Sequence, residues 1–164
     1  MKIVYIGGQK SGKSKLAEKK ILELSKTTLP YYIATYDNSY GDASMKKRIK
    51  KHLKRREDKF ITIEKITKLN KVLRKNNFYI IDCISMWLLN HLELKQKKIL
   101  KELDKILKSK ATIVFVLNDV NHGVIPLDKL SRKYVDLSGI IGQMLVKKCD
   151  EVIRVDYGIE TKLK

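Results

Sequence analysis

Gly7-Gly8-Gln9-Lys10-Ser11-Gly12-Lys13-Ser14 follows the apolar run Ile3-Val4-Tyr5-Ile6 and precedes a helical apolar period over residues 16–24. The octet matches G-x-x-x-x-G-K-[ST], and its position between a strand and a helix is the context that gives the pattern meaning. Glycines let the backbone N–H groups turn inward around phosphate oxygens, and the positive end of the following helix adds to the attraction. Lys13 is then placed to reach the β- and γ-phosphates, and the Ser14 hydroxyl to ligate Mg²⁺. A Gly/Ser turn that merely caps a helix is the plainer reading of the same residues.

Outward from this loop, strand-length apolar runs alternate with helical patterns. Strands are predicted at 31–35, 60–63, 78–82, 112–117 and 152–155, with a possible last strand at 160–164. Helices are predicted at 66–73, 84–94, 99–107 and 127–149. A further helix is expected where Met45, Ile49 and Leu53 recur every four residues. Strand–helix alternation with continuous apolar strands predicts an α/β fold: a mostly parallel sheet of about seven strands with helices on both faces. With the phosphate loop, the fold class expected is a P-loop NTPase of the RecA-like kind. The 164 residues, without a Pro/Gly/Ser linker or internal repeat, read as one domain over 1–164.

In such sheets, ligands bind beyond the carboxyl ends of the strands. Polar residues collect there at 7–14, 35–37, 82 and 118–126. Phe78-Tyr79-Ile80-Ile81-Asp82 ends a buried strand on an acid, which can hold Mg²⁺ directly or through water. An Asp after a strand is also a common helix cap. Ser14 and Asp82 are thus the metal candidates, with ATP or GTP as the nucleotide.

Thirty-six Lys+Arg against 18 Asp+Glu give a net charge of +18. Such a field attracts polyanions, so a nucleic-acid binder is one reading. The lysines are spread over nearly every helix, as on a solvated surface, and few aromatics interleave with the densest stretch, 46–59. No specific nucleic-acid partner is expected. No apolar run approaches the roughly 18 residues of a membrane span, and residues 1–6 do not read as a secretory signal. Cys83 and Cys149 form no CxxC pair, which argues for a reducing compartment. A cytoplasmic protein is expected.

Of three histidines, His91 sits in an apolar helical stretch and is assigned to packing, while His122 lies in the 118–126 loop near the nucleotide edge. On a helix, His52 has Arg48 at i−4 and Arg55 at i+3, so all three share a side. Neighbouring positive charges favour neutral imidazole, whose ring nitrogen can attack phosphorus. The arginines can then stabilise the phosphoryl oxygens.

Several blocks together resemble the bifunctional adenosylcobinamide kinase/adenosylcobinamide-phosphate guanylyltransferase family of cobalamin synthesis. They are the phosphate loop, Tyr32-Ile33-Ala34-Thr35, Arg48-Ile49-Lys50-Lys51-His52, Asp82-Cys83-Ile84, the run from Asn118 to Pro126, and the tail from Asp150. The matches run in order from residue 3 to 164. The resemblance implies that His52 takes GMP from GTP as a phosphoramidate, which the corrinoid phosphate displaces to give adenosylcobinamide-GDP. It further implies a kinase step on the phosphate loop and a homotrimer. Nucleotide contacts are implied at the loop residues, at Ala34, Thr35 and Tyr36, at Leu53, Lys54, Arg55 and Arg56, and at Glu64 and Asp82. Where the family usually has Arg after the histidine, Arg-Pro later, and Glu and Gly in the late loop, this chain has Leu53, Arg56-Glu57, Asp119 and Asn121. Two other readings stay open: a small-molecule P-loop kinase without the guanylyl step, and a nucleotide-regulated nucleic-acid-binding protein.

Overall fold

Strand β1 (Lys2–Gly7) is buried along nearly its whole length, because helices cover it from both sides. It is the fifth strand of a seven-stranded sheet of order β3-β2-β4-β5-β1-β6-β7. The others are β2 (Tyr31–Ala34), β3 (Ile61–Glu64), β4 (Phe78–Asp82), β5 (Thr112–Asn118), β6 (Glu151–Asp156) and β7 (Ile159–Lys162). All neighbours run parallel except β6 and β7, which form an antiparallel hairpin at one edge. The computed structural model describes residues 1–37 and 58–164. The helix expected around Met45, Ile49 and Leu53 lies outside them.

Alternation along the strands sorts the core into two layers. Ile3, Tyr5, Ile80, Val114, Val116 and Val155 pack with Ala17 and Ile21 of α1 (Lys13–Ser25). Val4, Ile81, Ile113, Phe115 and Val152 face the other way. They meet α2 (Ile84–Leu89), α3 (Gln96–Leu107) and α4 (Lys129–Lys148). Helix α3 buries Ile99, Leu103, Ile106 and Leu107, spaced by three and four residues as one helical face requires. Helix α4 starts where the Asp128 carboxylate accepts the Ser131 N–H at 2.8 Å. The expected α/β sheet with helices on both faces is therefore present.

Two predicted helices come out differently. Residues 66–73 hold only a 3-10 turn, Leu69–Lys71, because Lys68 at φ 52° is left-handed and cannot carry a right-handed helix through. The apolar spacing there marks two buried anchors of a loop, Leu69 and Leu73. The helix predicted over 84–94 stops at Leu89, and tight bonds from His91 N–H to Leu88 O and from Leu94 N–H to His91 O follow. The Asn90 side chain leaves the helix to donate to Thr35 O at 2.8 Å.

His91 packs as expected. Its ring lies 4.6 Å from that of Trp87, with Nδ1 2.6 Å from the Trp87 carbonyl and Nε2 3.1 Å from Glu102. Among the described residues, no helix is long and apolar enough to cross a membrane.

Candidate active site at the phosphate loop

Register brings the carboxyl ends of the strands into one row. Glu64 pairs with Ala34, Ala34 with Asp82, and Asp82 with Val116, while Gly7 lies opposite Asn118 on one side and Val155 on the other. The strand carrying Asp82 is thus one strand removed from the strand that feeds the phosphate loop, with β5 between them.

The loop curls from the end of β1 to the start of α1. The turn is closed by Ser11 N–H donating to Gly8 O at 3.2 Å. Lys10 at φ 60° and Gly12 at φ 97° are both left-handed, and at Gly12 a side chain would be strained. Gly7 is required for a different reason: a Cβ there would stand 2.3 Å from the Val155 carbonyl oxygen. Helix α1 begins at Lys13 with no side-chain cap, so no capping side chain takes its first N–H groups. Lys13 is 5% exposed, and its Nζ donates to Gly8 O at 2.9 Å, spanning the loop. Gln9 and Lys10 are exposed, and Ser14 is half-buried.

Asp82 and the turn after it are braced from the β2 side. The Tyr32 hydroxyl of β2 donates to its carboxylate, and the buried Tyr32 ring meets Phe60 edge-on at 5.7 Å. Just beyond Asp82, the Thr35 hydroxyl donates to Cys83 O at 2.7 Å and accepts from Cys83 N–H at 2.9 Å. Thr35 is fully buried, so its side chain fastens β2 to the turn after β4. The Ser14 hydroxyl and the Asp82 carboxylate are hard oxygen donors on facing elements, a donor set that suits Mg²⁺ completed by phosphate oxygens and water.

At the β2–β3 end, a cavity of about 340 Å³ is lined by Tyr36, Asp37, Glu64, Lys65, Ile66 and Thr67. Two of the implied nucleotide contacts, Tyr36 and Glu64, therefore share one concavity. Between that end and the loop, just beyond β5, Asp119 N–H donates to Gly7 O at 2.9 Å, and its carboxylate takes His122 Nδ1 at 2.9 Å. His52, Leu53, Lys54, Arg55 and Arg56 lie outside the described residues.

Tyr32, Asn90 and the β6–β7 turn are the contributors that the sequence reading missed. Gly158 is the one residue of turn-forming type between β6 and β7, and the meeting of this turn with the phosphate loop is purely tertiary.

A seven-stranded, mostly parallel sheet with this loop defines the class: an α/β P-loop nucleotide-binding protein. A crystal structure of the flagellar accessory protein FlaH from Methanocaldococcus jannaschii shares the fold. It has a TM-score of 0.52 at 16% identity, over 99% of this chain and 77% of that one. The family model described as CobU, cobinamide kinase / cobinamide phosphate guanyltransferase, matches residues 3–163, and the chain belongs to that family. The chain is 32% identical over 176 residues to the bifunctional adenosylcobalamin biosynthesis protein CobP of Pseudomonas aeruginosa, covering all of this chain and 98% of the relative. It is 27% identical over 186 residues to the bifunctional adenosylcobalamin biosynthesis protein CobU of Escherichia coli, with both chains covered in full. The family joins a kinase and a nucleotidyltransferase of cobalamin biosynthesis.

Proposed function

We propose that one domain, residues 1–164, phosphorylates adenosylcobinamide and then transfers GMP to the phosphate through a histidine–GMP intermediate. The observation that carries this reading is the row of strand ends that sets Lys13 and Ser14 on one side of β5 and Asp82 on the other.

In the kinase step, the substrate hydroxyl oxygen attacks the γ-phosphorus of ATP or GTP. The new O–P bond forms as the bond to the β-phosphate oxygen breaks, the nucleoside diphosphate leaves, and the hydroxyl proton passes to solvent. The N–H groups of residues 8–14 hold the phosphates, and the Lys13 ammonium neutralises charge between β and γ. Ser14 and Asp82 would hold Mg²⁺, which would supply charge neutralisation on the phosphates. Tyr32 and Thr35 fix the Asp82 carboxylate and its turn, so that no reorganisation is needed during reaction.

In the guanylyl step, a ring nitrogen of His52 attacks the α-phosphorus of GTP. An N–P bond forms and pyrophosphate leaves. An oxygen of adenosylcobinamide phosphate then attacks the same phosphorus, the N–P bond breaks, and its electron pair returns to the imidazole. The product is adenosylcobinamide-GDP. Leu53, Lys54, Arg55 and Arg56 contact the nucleotide, and Tyr36 and Glu64 are assigned to the guanine side because they share the 340 Å³ cavity. A homotrimer in the cytoplasm completes the reading. The buried, unpaired thiols of Cys83 and Cys149 suit a reducing compartment.

The test is GTP labelled at the α-phosphate. Wild-type protein should retain label after denaturation, stable to alkali and lost in acid. His52→Ala should retain none while still phosphorylating adenosylcobinamide. An unchanged adduct in that variant overturns the assignment of His52. No adduct on the wild type, with kinase activity present, favours the plain kinase.

A further inference from the structure

The hairpin between β6 and β7 turns on two residues, Tyr157 and Gly158, since Asp156 pairs with Ile159. Both central residues have positive φ, 52° and 87°, the signs of the tight turn that suits a twisted hairpin. Asn, Asp or Gly is the favoured first residue of such a turn, and a bulky aromatic in left-handed conformation is an outlier. Packing does not explain the tyrosine, which is 99% exposed. The turn itself is fastened to the phosphate loop. Gly158 N–H donates to Ser11 O at 2.8 Å, and the Gly158 Cα lies 3.4 Å from where a Gly12 Cβ would stand. An uncovered aromatic ring is therefore carried on a rigid turn, one residue from the backbone that cradles phosphates.

We infer that Tyr157 is the platform for the nucleobase of the phosphoryl donor, stacking on the purine of the nucleoside triphosphate whose phosphates occupy residues 8–14. This deepens the kinase reading above and rests on it. The cavity at Tyr36 and Glu64 belongs to β2 and β3 at the far end of the sheet from the β6–β7 edge. A purine over Tyr157 and a purine in that cavity thus occupy opposite sides of the phosphate loop. The two steps then use one phosphate cradle with the base leaving in two directions. A flat aromatic surface accepts any base, so the donor position is tolerant of adenine or guanine.

Asn suits the turn better than Tyr but offers no ring, so Tyr157→Asn separates structure from binding. Binding of a non-hydrolysable ATP analogue and of inorganic tripolyphosphate is measured on the full chain, with Lys13→Ala as the blank. Expected for Tyr157→Asn are an unchanged or raised melting temperature, an unchanged tripolyphosphate affinity, and an ATP-analogue affinity lower by about tenfold. Tyr157→Phe should restore the analogue affinity, and formation of the α-phosphate adduct should be unaffected in both variants. If Tyr157→Asn binds the analogue like wild type, or loses tripolyphosphate equally, the platform role is overturned and the phosphate-loop reading survives. If the wild type binds neither probe above the Lys13→Ala blank, the phosphate-loop reading falls, and the platform with it.

Discussion

The hydroxyl of Thr35 meets the peptide of Cys83 twice, donating to its carbonyl at 2.7 Å and accepting from its N–H at 2.9 Å. Both groups are buried, and the pair joins the end of β2 to the turn that follows Asp82. Thr35→Val keeps the volume but leaves the buried Cys83 N–H unpaired, while the Cys83 carbonyl still accepts from Trp87 N–H, at a cost of about 1–3 kcal/mol. Urea unfolding should show that loss, and Thr35→Ser should recover most of it. If Val is tolerated like Ser, the clamp does not hold the turn.

Tyr32→Phe removes the donor to the Asp82 carboxylate without disturbing the ring's contact with Phe60. The expected change in stability is about 1 kcal/mol. The functional change should be larger and specific, a rise in the Mg²⁺ concentration needed for half-maximal kinase rate. A Mg²⁺ titration at fixed nucleotide checks it, and an unchanged midpoint would detach Tyr32 from the metal site.

Gly7 and Gly8 should respond oppositely to alanine. At Gly7 the new methyl meets the Val155 carbonyl oxygen, so Gly7→Ala should lower stability by about 1–3 kcal/mol or more. At Gly8 nothing lies within 4 Å of the added Cβ, so Gly8→Ala should fold normally and lose only nucleotide affinity. Melting curves with and without nucleotide separate the two.

Lys13→Ala should cost both chemical steps about 10²–10³-fold, since the proposed mechanism sets its ammonium against developing phosphate charge. Phosphorylation and α-label retention are measured separately. Near-wild-type rates for both would remove the loop from the mechanism.

For Asp119, burial works to raise the carboxyl. Hydrogen bonds from His122 and the Asn121 N–H, with the charges of His122 and Arg154, outweigh it and hold the group below its ordinary 3.8. A depressed folded value means that the stabilisation is present above pH 3.8 and is lost as pH falls through the folded value. His122→Ala should therefore begin acid unfolding at a slightly higher pH than wild type, the shift being small because His122 is exposed. Circular dichroism against pH reads this directly.

The parts of the site that were legible in sequence are those that chemistry confines to a few consecutive residues. The loop 7–14 and Asp82 declare themselves because a phosphate cradle and an acid at a strand end are local patterns. Most strands were legible too, since burial on both faces makes their apolar runs continuous. Thr35 was named through family resemblance as a nucleotide contact, whereas its side chain is occupied with Cys83. That bond, the Tyr32–Asp82 bond and the reach of Asn90 to Thr35 all join residues far apart in sequence, and no spacing rule reveals them. The turn at 66–73 misled because two buried leucines imitate a helical period. A last strand was expected, but its antiparallel sense, and the contact of its turn with Ser11, depend on a register set by β6.

Strand β1 has consequences for how the molecule is made as well as for what it does. Its sheet partners, β5 and β6, lie far along the chain from it, and its Lys2 N–H is held by the Asp150 carboxylate at 2.6 Å. Pairings of such sequence separation close large loops, and the entropy of closure is spent before the contacts return it. The phosphate cradle therefore waits until β5 and β6 have joined the sheet. A nucleotide present in the cell cannot act as an early folding template and instead rewards the finished sheet. Slow, late-forming folding, with nucleotide slowing unfolding far more than it speeds refolding, is the kinetic signature that this arrangement carries.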